Sequence, residues 1–307
     1  MKVLLAGATG AVGRPLLSAL AEAGHEVLAI VRNPGRAEIV TGLGAVPVVA
    51  DVLDREALLR AVRGLRADVV MHQATALRKP SRKLTEADHT LRLRDEGSRH
   101  LIDAAAEVGA TRFVTQSLIT GYGYRDHGHK ILTEDDEFGV MVGNVGDLVT
   151  RSSVHAERHP REAGLDTIAL RYGMFYGPDA FSDMFAALMR KRVPLLPMGE
   201  PATTSFVHVH DAATAAVAAM ERGTPGAAYN IVDDRPMSWR EFMTTVSAAH
   251  HTPAPKAMPK WLLRRISGYL ACLLIDTTLR VSNAKASAEL GWTPKHATVQ
   301  EGLSAHS

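Results

Sequence analysis

Close to its amino end the chain carries Gly7-Ala8-Thr9-Gly10-Ala11-Val12-Gly13, three glycines at G-x-x-G-x-x-G spacing. Glycines so spaced let a backbone turn tightly and approach a pyrophosphate, whose charge is met by the free N–H groups and positive end of a following helix. Gly7, Thr9, Gly10, Ala11, Val12 and Gly13 are therefore expected to hold a dinucleotide. At Arg32-Asn33, where NAD binding would call for an acid facing the ribose hydroxyls, the chain offers a guanidinium that suits a 2′-phosphate. Arg32 thus points to NADP(H), with NAD(H) as the alternative. Asp51 and Val52 fall where the adenine would lie. His72-Gln73-Ala74-Thr75-Ala76 falls beside the pyrophosphate and ribose, with Ala74 and Thr75 as expected contacts.

These positions gain meaning from the elements that must carry them. Short β-branched runs at Val3–Ala6, Val27–Val31, Val46–Ala50, Asp68–Met71 and Arg112–Thr115 read as five strands, and Ile168–Arg171 reads as a sixth. Segments of helical period lie between them. Gly13 to Ala23 has Pro15 in its first turn and Gly24 just past its end, and a long helix is expected from Asp88 to Val108. Such alternation predicts an α/β fold, a doubly wound parallel sheet of Rossmann type, whose ligands bind at the carboxyl edge of the strands. Residues 1–172 would form the dinucleotide-binding domain, with a return segment near 209–232. Residues 173–307 would form a smaller, mostly C-terminal substrate lobe interleaved with it.

Composition narrows the partners. The 307 residues are 46% hydrophobic and 22% charged, ordinary for a globular chain with a substantial core. A net charge of +2 without a long basic run gives no field to draw a nucleic-acid backbone. The first apolar run breaks at Gly7, short of a signal peptide, and the lone Cys272 suits a reducing compartment, so cytoplasm is expected. The apolar stretch Trp261–Leu279 contains Arg264, Arg265 and Asp276 and reads as an amphipathic helix, so no membrane partner is expected. A homodimer remains open.

With these motifs in place the chain resembles the extended short-chain dehydrogenase/reductase superfamily, in its NAD-dependent epimerase/dehydratase branch. Glu96–Leu101 resembles the motif of that family's fourth helix. Leu170–Pro178 resembles the segment leading into its substrate lobe, and Phe206–Asp211, Ala228–Ile231 and Glu289–Pro294 resemble later landmarks in order. The resemblance implies hydride transfer assisted by a Tyr-x-x-x-Lys pair, yet the matching stretch reads Val149-Thr150-Arg151-Ser152-Ser153. Leu118 stands at the usual active-site hydroxyl position and Arg94 near the usual asparagine. The chain is thus similar to an atypical subgroup that lacks the usual pair.

Substitutes are at hand. Ser117 is the nearest hydroxyl to orient a substrate oxygen, and Tyr124 and Tyr172 are the preferred acid/base candidates. Tyr122, His127, His129 and Lys130 lie close by. Gly121–Tyr124 reads as a mobile active-site loop. His127-x-His129 and His208-x-His210 lack a recognisable further ligand set, so no metal is expected. The expected function is an NADP(H)-binding oxidoreductase or epimerase acting on a small carbonyl or hydroxyl compound. A non-redox isomerase, cyclase or dehydratase, or a non-catalytic dinucleotide sensor, would suit the same scaffold.

Overall fold

The computed structural model of the chain describes residues 1–75 and 84–304. Seven strands form one parallel sheet: β1 (Lys2–Ala6), β2 (Glu26–Val31), β3 (Val46–Val49), β4 (Val69–His72), β5 (Arg112–Leu118), β6 (Asp166–Tyr172) and β7 (Ala228–Ile231). Their order across the sheet is β7-β6-β5-β4-β1-β2-β3. It reverses between β1 and β4, the switch point at which doubly wound sheets leave a crevice for ligands.

Alternation along each strand divides the core. Val3 and Leu5 face one side of the sheet, while Leu4 and Ala6 face the other. Helix α1 (Gly13–Glu22) lies on the first side, and α2 (Arg55–Val62) and α3 (Ser98–Val108) on the second. Further along the chain come α4 (Asp147–Glu162), α5 (Phe181–Arg190) and α6 (Val209–Arg222), the last packed against α1. α1 ends at Ala23, and Gly24 follows in the left-handed region, φ 77°.

The helical path expected from Asp88 to Val108 is present, but not as one uniform helix. Asp88 caps His89–Arg92 by accepting the Thr90 N–H, and Leu93–Gly97 is a π-helical turn before α3 begins. The wider turn carries Arg94 inward, where it is 2% exposed.

Trp261–Leu279 departs from the expected amphipathic helix. Helix Lys260–Ile266 stops at Ser267, whose backbone is extended and whose hydroxyl accepts the Leu270 N–H to start Gly268–Ala271. A π turn at Cys272–Asp276 and a strand at Thr278–Val281 complete the stretch. Arg264, one of the two arginines within it, makes a two-bond contact with Asp276 at 2.6 and 2.7 Å. No helix among the described residues is long and apolar enough to cross a membrane.

Candidate functional site

At the carboxyl edge of β1 the chain turns with Gly7 in the left-handed region, φ 95°. A Cβ there would lie 2.5 Å from the Gln73 carbonyl and 2.6 Å from the Ala74 nitrogen, so only glycine lets β1 and β4 close at their ends. Gly13 lets α1 pack onto this turn, because its Cβ would lie 2.0 Å from the Gly7 carbonyl oxygen. The Gly10 N–H donates to that same oxygen at 3.0 Å. No residue of the first turn of α1 is acidic, although Asp179 pairs with Arg14 there.

Above the turn opens a cleft of about 940 Å³. Gly7, Thr9, Gly10, Ala11, Val12, Arg32, Asp51, Val52, Ala74 and Thr75 all line it, and Gly13 supports it from beneath. Ala76 lies outside the described residues. The Arg32 guanidinium lies 3.0 Å from His89 Nε2, and Arg36 donates to the Thr9 hydroxyl at 3.5 Å, so two cations border the β2 end. Asn33 accepts the Gly35 N–H and Asp51 the Leu53 N–H, each holding its turn. Sequence reasoning missed Arg36, Gln116, Phe175, Asp179, Phe181, Asp183 and Met184 as lining residues. A basic residue four positions after Arg32 was the one available signal; the others are brought in by tertiary packing.

Gln73 is 5% exposed, and its amide lies beside the buried Tyr172 hydroxyl, whose pKa it lowers against the larger effect of burial. Beside it, burial brings the His72 imidazole down to about 4. One ring nitrogen lies 2.9 Å from the Leu93 carbonyl, and the other accepts the Ala74 N–H. The neutral ring ties the end of β4 to the π turn.

None of the three expected acid/base and orienting residues lines the cleft. Pleating places Gln116 toward it and Ser117 on the opposite face of β5, with the Ser117 hydroxyl fully buried. Tyr172, at the end of β6, is fully buried, with its hydroxyl 3.4 Å from the Ala212 carbonyl, and burial drives its pKa far up. Tyr124 is buried too, its hydroxyl 3.0 Å from that of Tyr269.

Nor is Gly121–Tyr124 an open loop. It is a packed turn in which Tyr122 donates to Asn230 at 2.9 Å and stacks edge-on against Phe138. Phe138 also crowds Gly121, where a Cβ would lie 2.1 Å from its ring. His127, His129 and Lys130 follow in the strand Asp126–Leu132.

The profile of the NAD dependent epimerase/dehydratase family matches residues 3–232. The chain belongs to that family. Among curated relatives, a "3-diazoavenalumate denitrifying reductase" of Streptomyces sp is 38% identical over 99% of each chain. A "3-beta-hydroxysteroid dehydrogenase" of Mycolicibacterium neoaurum is 27% identical over 97% of this chain and 88% of that one. The solved UDP-glucose 4-epimerase of Thermus thermophilus, in complex with NAD, shares the fold. Its TM-score is 0.78, with 23% identity over 99% of this chain and 96% of that one.

In this epimerase/dehydratase-family chain, α4 presents no proton donor at its Val149 and Ser153 positions. Val149 packs into the core, and the buried Ser153 hydroxyl donates to the Val149 carbonyl of its own helix at 3.0 Å. The histidine pairs also group otherwise than the sequence implied. His208 is joined by Asp211 and His296, and Asp95 by His155 and His159, each set with its ligand-type atoms within 4.8 Å. Asp211 accepts from the Lys295 and His296 N–H groups and contacts the His296 ring, so it fastens the C-terminal segment. Asp95 is held below the ordinary carboxylate range despite the opposing effect of burial. The His159 contact counts most, followed by Arg99 and His155.

Proposed function

We propose that this chain is an NADP(H)-dependent reductase whose substrate carbon accepts hydride without a proton from any side chain, a diazonium being the substrate class. The observation that carries the reading is a complete dinucleotide cradle beside a helix with only Val149 and a self-bonded Ser153 at its catalytic positions. Likeness to a reductase named for a diazo compound supports the same class.

The residues fit the cofactor. The turn that Gly7 and Gly13 close, kept clear of a side chain at Gly10, would receive the pyrophosphate, and Arg32 and Arg36 suit a 2′-phosphate by charge-assisted bonds. The Gln73 amide, beside the Tyr172 hydroxyl, adds a polar group to the cleft wall. What the bound nicotinamide supplies is a hydride, and hydride alone converts a diazonium carbon to C–H, the C–N electron pair leaving with dinitrogen and no proton changing hands. Phe175, Phe181 and Met184 exclude water, which would otherwise compete for the same carbon. On this reading Ser117, Tyr124 and Tyr172 need move no proton. The lone, buried Cys272 suits a reducing cytoplasm.

The test is anaerobic incubation of the protein and 4-deuterated NADPH with aryl diazonium salts, alongside a panel of ketones. The expected result is enzyme-dependent dinitrogen release with deuterium at the vacated carbon, absent in Gly10→Val. Reduction of ketones alone, with diazonium turnover no faster than in buffer, overturns the reading.

A further inference from the structure

Three arginine guanidiniums on or near this edge of the sheet differ in what they meet. Arg171 grips Glu157 through its Nε and Nη2 atoms, both at 3.0 Å, and Arg92 grips Glu96 through the same edge at 2.9 and 2.7 Å. That edge is the one matched to the two oxygens of a carboxylate. Arg94, on the π turn between them in sequence, is more buried than either. Its Nε and Nη2 are enclosed and donate to nothing among the described residues, where it also forms no ion pair. Asp88 acts on it only at longer range. A buried guanidinium without a counter-charge is strongly unfavourable, so its retention needs a use.

Its surroundings indicate the use. After burial, Tyr269 and then Tyr124 act on its charge most strongly, ahead of Asp88. Their hydroxyls lie 3.0 Å apart, and such a pair spends one proton between its oxygens and keeps one to donate. The Tyr124 ring rests on Gly146, where a Cβ would come within 2.2 Å of it, just ahead of the helix that carries Val149. On the other side, Leu93, the neighbour of Arg94, lines the dinucleotide cleft. Tyr269 is half-buried as a residue, and burial of its hydroxyl raises its pKa.

We infer that Arg94, with the Tyr124–Tyr269 hydroxyl pair, is a binding subsite for a carboxylate on the substrate. The inference rests on the reductase reading and adds to it the charge of the substrate. Arg94 supplies two parallel N–H donors and the tyrosine pair a third, fixing the acid end beside the cleft. The same charge disfavours cationic compounds.

The experiment measures binding of cinnamate and of cinnamamide to the protein saturated with NADP, in a chloride-free buffer. The acid should bind at least tenfold more tightly than the amide. Arg94→Met should erase that preference, Arg94→Lys should keep part of it, and Tyr269→Phe should weaken the acid several-fold while leaving the amide unchanged. NADP affinity should be the same in all of them, which shows that the fold is intact. Because Arg94→Met removes a buried charge, it should also raise the melting temperature of the ligand-free protein. Equal binding of acid and amide, failure of both to bind, or an undiminished preference in Arg94→Met overturns the proposal. Loss of diazonium turnover with the acid preference intact would instead remove the reductase reading alone.

Discussion

A Cβ on Gly13 would lie 2.0 Å from the Gly7 carbonyl oxygen, whereas a Cβ on Gly10 meets that oxygen at 3.2 Å and no other non-neighbouring atom within 4 Å. The two glycines therefore answer to different needs. Gly13 lets a helix close onto a turn, and Gly10 keeps a side chain out of the cleft. Gly10→Val is expected to abolish dinucleotide binding with little change in melting temperature, while Gly13→Val lowers both. Calorimetric titration and thermal melts separate the two outcomes; equal melting temperatures for the two variants would contradict the packing role of Gly13.

Arg32 and Arg36 both line the cleft at the end of β2. Each offers a charge-assisted bond to a phosphate on the ribose, so NADP(H) should bind more tightly than NAD(H). Arg32→Asp should invert the order by repelling the phosphate and accepting the ribose hydroxyls. Arg36→Ala should weaken NADP(H) alone. Titration of the native protein with both dinucleotides checks this, and equal affinities would remove the argument.

Most of the sheet was legible because β-branched runs alternating with helical segments admit few arrangements, and the glycine spacing sits where the first turn requires it. The broken helix at Trp261–Leu279 was not, since its apolar period runs on through Ser267, where the backbone turns extended and the hydroxyl caps a new turn. Ser117, Tyr124 and Tyr172 are expected at the site because they stand at or just past the carboxyl ends of β5 and β6. Strand pleating then turned Ser117 away from the cleft, and the packing of Phe138 and Gly146 enclosed Tyr122 and Tyr124. Arg94 was visible as a substitution for the usual asparagine, but its burial comes from a π turn that carries no sequence signature.

Glu157 and Arg171 form a bidentate pair in which both side chains are buried, with the guanidinium 3.6 Å from the centre of the Phe138 ring and donating to the Tyr122 hydroxyl. Glu157→Gln would leave the cation without its counter-charge in the core. The expected loss is about 3–5 kcal/mol, the range for removing one partner of a buried pair. Denaturant unfolding measures it, and a loss below about 1 kcal/mol would show that the Arg171 guanidinium does not need this carboxylate.

Hydride transfer without a side-chain acid makes a clear statement about Tyr172. Its hydroxyl is buried and held 3.4 Å from the Ala212 carbonyl, and burial keeps it protonated. Tyr172→Phe should therefore change diazonium turnover by no more than a few-fold, against the roughly 10²-fold or greater loss that removal of a positioned acid causes. A loss of that larger size at unchanged melting temperature would return Tyr172 to the reaction.

Asp233, just after β7, is 2% exposed, and the backbone at Arg235 and Phe206 only partly offsets the cost of burying its charge. Burial first, and then the nearby Asp234 and Asp211 carboxylates, push it up to about 8 from an ordinary 3.8. Between those values the folded chain holds a proton there that the unfolded chain has released, so stability falls as pH rises through this window and levels off above it. His72 acts in the opposite sense. Lowered to about 4 from 6.5, it makes stability fall as pH drops through that lower range. Asp233→Asn removes the first effect and leaves the second. The native protein should therefore lose melting temperature between about pH 5 and pH 8 more steeply than the variant, and above pH 8 the variant should be the more stable of the two. Below pH 4 the two curves should run parallel. Thermal melts across the range test the sign, and parallel curves from pH 5 to pH 8 would show that Asp233 is already ionised in the folded chain.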